Sequence, residues 1–586
     1  MNSRSHGPRL TANGVEFRLW APKAKRVDVV LDRAHPMQQD KDGWFRAEIE
    51  GVRGGARYRF RIDGDNEVPD PASAFQPEDI PGPSEVIDHS AYPWRATEWR
   101  GRPWEEAVVL EAHVGTFTAQ GSYRAIIDKL DDLAATGITA LELMPLADFP
   151  GKRNWGYDGV LWYAPDSVYG RPEDLKALID AAHERGLMVF LDAVYNHFGP
   201  EGNQIGQYAP DFFSDSHTPW GNGINYFVEQ VRSFAIGNAL YWLREYRFDG
   251  LRLDAVHAIP DQGEIPMLYE LSREVGKLAA ETGRHLHLVL ENDDNIAAHL
   301  DPTIDPHRGQ YRAQWNDDYH HAWHVVLTGE TQGYYSDYAR TPLQHVARSL
   351  GSGFVYQGEP SEHRGGEPRG EPSGELPPLA FISFLQNHDQ IGNRALGDRL
   401  ESVARPEAVE AALAITLLAP TVPMLFMGEE WGSQAPFPFF CDFHGDLAEA
   451  VRQGRRKEFA GAYEKYGDDV PDPLAESTFK SAVLNWSERD NGAGAKRLAL
   501  VKQLLAVRRE ILVPRLRGAK FGDAKATDEG LLTADWRLGD GATLRLSANL
   551  SDQPREAKRP IGTKVWGDDW DGIIPPWAVS WRLEES

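Results

Sequence analysis

An eight-stranded parallel β/α barrel, with a small β-domain at each end, is the architecture this sequence predicts, and three observations carry it. From about residue 105, short apolar runs alternate with helical patterns of apolar residues three and four apart, the rhythm of strand and helix that builds a parallel sheet closed on itself. Residues 1–100 and 518–586 show period-two alternation instead, broken by Gly turns. Four of the apolar runs in the middle end in carboxylates, and a barrel gathers such strand ends on one face. With 586 residues the chain exceeds a single core, which also requires several domains.

In the first region, Val15, Phe17 and Leu19 alternate with Glu16 and Arg18, and Tyr58, Phe60 and Ile62 alternate with arginines, so an immunoglobulin-like β-sandwich is expected over 1–100. The Pro-rich run 69–83 should lie extended over a neighbour. Residues 101–517 form the expected barrel. Its strands are placed at 108–114, 140–144, 188–194, 248–254, 286–290, 311–315, 381–385 and 422–427, the sixth being the least clearly marked. Helical faces between them include Ile126, Leu130 and Leu133 before Gly137, and Leu175, Leu178, Ile179 and Ala182 before Gly186. An insertion of about 197–228 follows the third strand. Residues 358–377, rich in Gly, Pro and Glu, read as a mobile surface loop. A helix carrying Leu498, Val501, Leu505 and Leu512 completes the barrel, and a β-domain follows in which Leu544, Leu546 and Ala548 alternate with polar residues, as do Val579, Trp581 and Leu583.

Composition narrows the functions open to it. The net charge of −26 repels nucleic acid and anionic membranes. No run approaches the roughly 18 apolar residues of a membrane span, and the N-terminal residues lack the apolar core of a signal peptide. Cys441 is the single cysteine, which rules out an internal disulfide and fits a reducing compartment. A cytoplasmic protein, monomeric or homodimeric, is expected.

The chemistry sits in one stretch, FDGLRLDAVH at 248–257. Arg252 and Asp254 are two apart on a strand and so face one side. Burying both is costly unless they are paired or used. Other strands end alike: Asp192 to Asn196 and His197 after the third, Glu291 to Asp294 after the fifth, Asn387, His388 and Asp389 after the seventh. Converging carboxylates suit a metal site or glycoside hydrolysis, which needs one carboxylic acid to protonate the leaving oxygen and one carboxylate to attack carbon. Metal readings fail on spacing: there is no HExxH, one cysteine builds no thiolate site, and His320, His321 and His324 fit a helix face better than a ligand set. Phosphate-loop and GxSxG motifs are missing too. No metal and no cofactor is expected.

These four strand-end motifs resemble the four signature regions of the α-amylase superfamily of glycoside hydrolases, and the likeness extends over nearly the whole chain. The resemblance implies Asp254 as nucleophile, Glu291 as general acid/base and Asp389 as transition-state stabiliser. It implies that Asp192, Asn196, His197, Arg252, Asn387 and His388 surround the reacting sugar and that Tyr157 stacks beneath it beside Trp155. His257 departs from the pattern, standing where α-amylases have a lysine that touches leaving-group sugars, which fits an altered leaving-group site; His257, Arg394 and Trp431 are further candidates for binding substrate, with core packing the rival reading of Trp431. The flanks DGLRLDAVHAI, LENDDN and FLQNHDQIGNRA look like the branch of maltooligosyltrehalose trehalohydrolases, which implies an oligosaccharide substrate, maltooligosyltrehalose, and hydrolysis next to its trehalose end. A glycogen branching enzyme, similar in the sandwich and in the run from Glu111 to Phe117, is the alternative. An inactive glucan-binding protein is a second, opposed by the presence of all three carboxylates.

Overall fold

The computed structural model describes residues 6–585 apart from 65, 219–220, 260–264, 302 and 304–308. The expectation of a leader-free start therefore lies partly outside the described residues, as do two positions of the insertion at 197–228; the rest of that insertion includes the hairpin Phe213–Thr218 and Gly221–Ile224.

The N-terminal strands form two antiparallel sheets. One pairs Gly14–Trp20 with Trp44–Glu50, and the other pairs Val27–Val30 with Arg57–Ile62. Inward Val15, Phe17, Val27, Val29, Tyr58 and Phe60 are buried between them, as the alternation predicts. The Pro-rich run does pack on a neighbour: Ile80 joins Val160, Leu161 and Ala164 of the barrel domain.

The barrel strands are β1 (Val109–Ala112), β2 (Ala140–Leu143), β3 (Met188–Ala193), β4 (Gly250–Leu253), β5 (His287–Leu290), β6 (Ala313–Trp315), β7 (Phe381–Ser383) and β8 (Val422–Phe426), all parallel, with β8 beside β1. They are shorter than the apolar runs, because pairing ends where the chain turns to form the upper rim; after β1 it enters a helical turn at Val114–Phe117. Inward residues fill the lower interior: Val109, Ala140, Met188, Phe190, Val289, Ala313, Ile382, Val422 and Met424, with Trp104 from the lead-in segment below. Gly250 is required there, since a Cβ would lie 2.6 Å from the His287 carbonyl and 2.8 Å from the Phe190 ring. The helix Gly492–Val507 buries Leu498, Val501, Leu504 and Leu505 and continues through a π-helical turn at Arg508–Leu512. A five-stranded antiparallel sheet over 520–584 completes the chain.

The expected mobile loop at 358–377 is corrected. Glu359–Pro360 pairs with Pro368–Arg369 in a hairpin, Ser361, Ser373 and Leu376 are buried, and Arg369 is 5% exposed. Composition misled because it counts apolar surface alone. This segment is held instead by ion pairs, from Arg364 to Asp293 and Asp294 and from Arg369 to Asp293 and Asp318.

Candidate active site

At the C-terminal ends of the strands, one layer of inward side chains is polar. Register places Asp192 beside Arg252 on β3 and β4, and Glu111 beside Glu142 on β1 and β2. Arg252 has no exposed surface and lies over the Trp315 ring at 4.2 Å. Its Nη1 donates to Asp192 Oδ2 at 2.7 Å and to Asp254 Oδ1 at 2.8 Å, and its Nη2 lies 3.5 Å from Glu291 Oε2. One guanidinium thus gathers three carboxyl groups from three successive strands. The ion pair that sequence allowed as purely structural is here a hub that holds two of the three candidate catalytic carboxyls, Asp254 and Glu291.

Around the hub, Asn196 donates to Asp254 Oδ2 at 3.2 Å, and the Ala255 N–H donates to Glu291 Oε2 at 2.5 Å. Ala255 adopts φ +41° to deliver that N–H, a strained backbone for a residue with a Cβ and a mark of a functional turn. Burial first, then the charges of Asp254, Asp317 and Asp389, raise Glu291 well above the ordinary Glu range, against the pull of Arg252. Burial also pushes Asp192 up to about 6. Tyr157 donates to Asp192 at 2.5 Å and stacks on His388 with ring centroids 4.9 Å apart, which gives the site an aromatic floor. Asp389 is half exposed at the mouth, with Oδ1 3.6 Å from His388 Nε2.

A cavity of about 170 Å³ opens beside these groups and is lined by Glu291, Asp389, Asp293, Asp317, His363 and Arg364 among others. Neither Asp254 nor Tyr157 lines it, so it lies on the Glu291 side of the hub. Asp317, at the start of the helix Asp317–Thr328, is raised to about 7 by burial and then by Asp293 and Asp389.

Several expected binding residues have partners within the protein. Trp155 is buried, stacks on Phe437 and presses against Gly392, where a Cβ would lie 2.0 Å from its ring; it supports the floor from behind. Trp431 is buried against Trp486 after the last strand and does not line the cavity. Arg394 is taken by Glu330 and by Asp398 at 3.0 Å. Asn387 caps a short helix by accepting from the Gln390 N–H at 3.0 Å. His197 spends Nδ1 on Asn196 and Nε2 on the Tyr157 carbonyl at 2.8 Å, so it braces the floor. His257 is exposed and accepts from the Asp293 N–H at 3.3 Å, beside the turn that carries Glu291. His320, His321 and His324 are buried on their helix among Tyr335, Tyr338 and Glu330. Among the described residues no group of three or more His, Cys, Asp or Glu is arranged to hold a metal ion, and no helix is long and apolar enough to cross a membrane. Sequence reasoning passed over Glu111, Asp317, Arg364 and Arg369. Glu111 had a signal, a charge inside the apolar run Val108–Ala112. The other three gain meaning only from what they meet across the fold.

Comparison with known proteins places this geometry. Family models match residues 88–211 as an alpha amylase catalytic domain, 5–76 as carbohydrate-binding module 48 (isoamylase N-terminal domain), and 519–581 as a domain of unknown function. The malto-oligosyltrehalose trehalohydrolase of Deinococcus radiodurans is 45% identical over 505 residues, 85% of this chain and 81% of that protein. The chain belongs to the maltooligosyltrehalose trehalohydrolase family of the α-amylase superfamily. The chain also superposes on a crystal structure from Salmonella typhimurium, described provisionally as an alpha amylase, with TM-score 0.95 at 46% identity over 100% of both chains. By contrast, the 1,4-alpha-glucan branching enzyme of Cutibacterium acnes is 33% identical over only 45% of this chain.

Proposed function

We propose that this trehalohydrolase-family protein cleaves the α-1,4-glucosidic bond next to the terminal trehalose of maltooligosyltrehalose and releases free trehalose, with retention of configuration. The observation that carries the chemistry is the sharing of one buried guanidinium by Asp254 and Glu291, whose environments differ. Asp254, held by Arg252 and Asn196, attacks the anomeric carbon. Glu291, whose buried setting favours the protonated form, gives its proton to the leaving oxygen. A covalent glycosyl-enzyme results; Glu291, now a base, takes a proton from the water that hydrolyses it. Asp389 stabilises the oxocarbenium-like transition state from the mouth of the site. The general acid must face the leaving group, so the cavity beyond Glu291, walled by Asp293, Asp317 and Arg364, receives the trehalose unit. The substrate assignment rests on the activity for which the relatives are named. The protein works without a cofactor, in the cytoplasm, as a monomer or homodimer.

Incubation of the purified protein with maltopentaosyl trehalose, followed by proton NMR, tests this. Free trehalose and a maltooligosaccharide first seen as the α-anomer are expected. Immediate β-anomer would overturn the retaining mechanism. Chain-length redistribution without new reducing ends would make the protein a transferase, and equal efficiency on maltoheptaose would remove the trehalose selectivity.

A further inference from the structure

Among the buried acids to which the catalytic scheme gives no part, Glu111 touches a residue of the site. Glu111, on β1 at the opposite side of the barrel interior from the catalytic pair, is 1% exposed. Both of its carboxylate oxygens go to one residue: Oε2 accepts the His388 N–H at 3.0 Å, and Oε1 meets His388 Nδ1 at 2.5 Å. The chain spends a buried carboxylate, in the interior layer of the barrel, on holding one imidazole.

The other face of that imidazole is where the consequence falls. Nε2 points toward Asp389, 3.6 Å from Oδ1, at the mouth of the site. The ring lies flat on Tyr157, so it cannot rotate to exchange its nitrogens without breaking both contacts. A neutral imidazole with its proton on Nδ1, facing Glu111, would present only a lone pair at Nε2. An imidazolium presents an N–H there. Which of the two occurs decides whether His388 accepts from, or donates to, the sugar hydroxyls that reach Asp389.

We infer that Glu111 is a positioning residue that holds His388 as a two-donor imidazolium, so that Nε2–H is a fixed hydrogen-bond donor to the reacting sugar. The groups around the ring support this. Burial and the nearby positive charge of Arg252 oppose protonation, while Glu111 and Asp389 favour it and win, bringing His388 to about 9. His113, a close basic neighbour, is itself lowered to about 4 by burial and so adds no competing charge at neutral pH. Glu142, also buried in this layer, is pushed well above the ordinary Glu range by burial, which disfavours the charge it would need to act as a counter-ion in place of Glu111. The donor role rests on the glycosidase reading above; the charge state does not.

Selective ¹⁵N labelling of histidine and a ring NMR titration of the intact protein, with the His388 signal assigned by its loss in His388→Gln, test the charge state without substrate. A His388 signal that remains imidazolium through pH 8 is expected; titration at or below pH 6.5 would overturn the inference even if the enzyme is a glycosidase. In Glu111→Gln the titration should fall by at least two pH units. Its kcat/KM at pH 7 should fall at least tenfold and recover toward acid pH, on maltooligosyltrehalose and on any other α-glucan that is turned over. A rate lowered equally at every pH would make Glu111 merely structural. Should Glu111→Gln not fold, the wild-type titration decides alone. Trehalose release failing while the NMR result holds would count against the proposed substrate and leave the Glu111–His388 assignment standing.

Discussion

Arg252 sets the electrostatics from which the catalytic roles follow. With Asp254 and Glu291 both within its reach, removing either carboxyl leaves the guanidinium partly paired, so function should suffer more than folding. Asp254→Asn should lower kcat at least about 10³-fold, roughly 4 kcal/mol of transition-state stabilisation, while maltooligosaccharide binding, followed by calorimetry, persists. Glu291→Gln should lose about 10²–10⁴-fold on sugar leaving groups and much less on aryl glycosides whose leaving group needs no proton. Asp317 is the neighbour that separates a geometric from an electrostatic account of the acid. Its negative charge contributes to the raised Glu291. Asp317→Asn removes that charge, so the pKa of Glu291 should fall and the alkaline limb of the kcat/KM profile should move toward acid pH. An alkaline limb that stays put, measured from pH 4 to 9, would show that Asp317 does not tune the acid.

At the scale of elements, the hairpin over 359–369 illustrates how ordering by charge differs from ordering by apolar burial. Arg369 is buried between Asp293 and Asp318, with Nη1 2.9 Å from Asp318 Oδ1 and Nη2 2.8 Å from Asp293 Oδ1. Leaving such partners uncompensated costs about 3–5 kcal/mol. Arg369→Ala should therefore lower the urea midpoint markedly, and a Gly/Ser replacement of 359–369 should destabilise the protein and release the turn that follows Glu291. Unchanged urea midpoints would restore the reading of this segment as a mobile loop. The barrel strands, in contrast, were legible: β6 is found inside the expected window 311–315 despite its weak signal, because alternation of strand and helix demanded an element there. What was not legible was where apolar runs stop pairing, since side-chain pattern continues past the last ladder hydrogen bond.

For the whole molecule, Asp249 joins the base of the barrel together. It accepts from Trp99 Nε1 at 2.8 Å, from the Val189 N–H at 2.9 Å and from Arg284 at 3.2 Å, and it meets His183 Nε2 at 2.8 Å. Burial opposes its charge, but His183, Arg284 and the backbone donor outweigh that and lower it to about 2. The unfolded value is about 3.9, so the folded pKa is depressed. Its stabilisation is present above about pH 4 and is lost as pH falls toward 2, amounting to about 2 kcal/mol. Asp249→Asn should lose roughly that stability at pH 7 and show a shallower decline between pH 4 and 2 in urea unfolding; parallel decline in both proteins would contradict it.

The sequence by itself determined the barrel, its flanking β-domains and the strand ends that carry Asp254, Glu291 and Asp389, because period, turn residues and carboxylates at strand ends are local signals that survive without coordinates. Only the tertiary structure decided which polar residues meet. Trp155, Trp431, Asn387 and Arg394 all carry side chains that can bind a sugar, but only the fold shows what they pack against, cap or pair with inside the protein. Glu111 and His388 are 277 residues apart and become partners only because β8 closes on β1 and brings the end of β7 across the barrel mouth. Contacts of that sequence separation leave no periodic trace in either segment. The charge of a buried group depends on what the closed fold places against it.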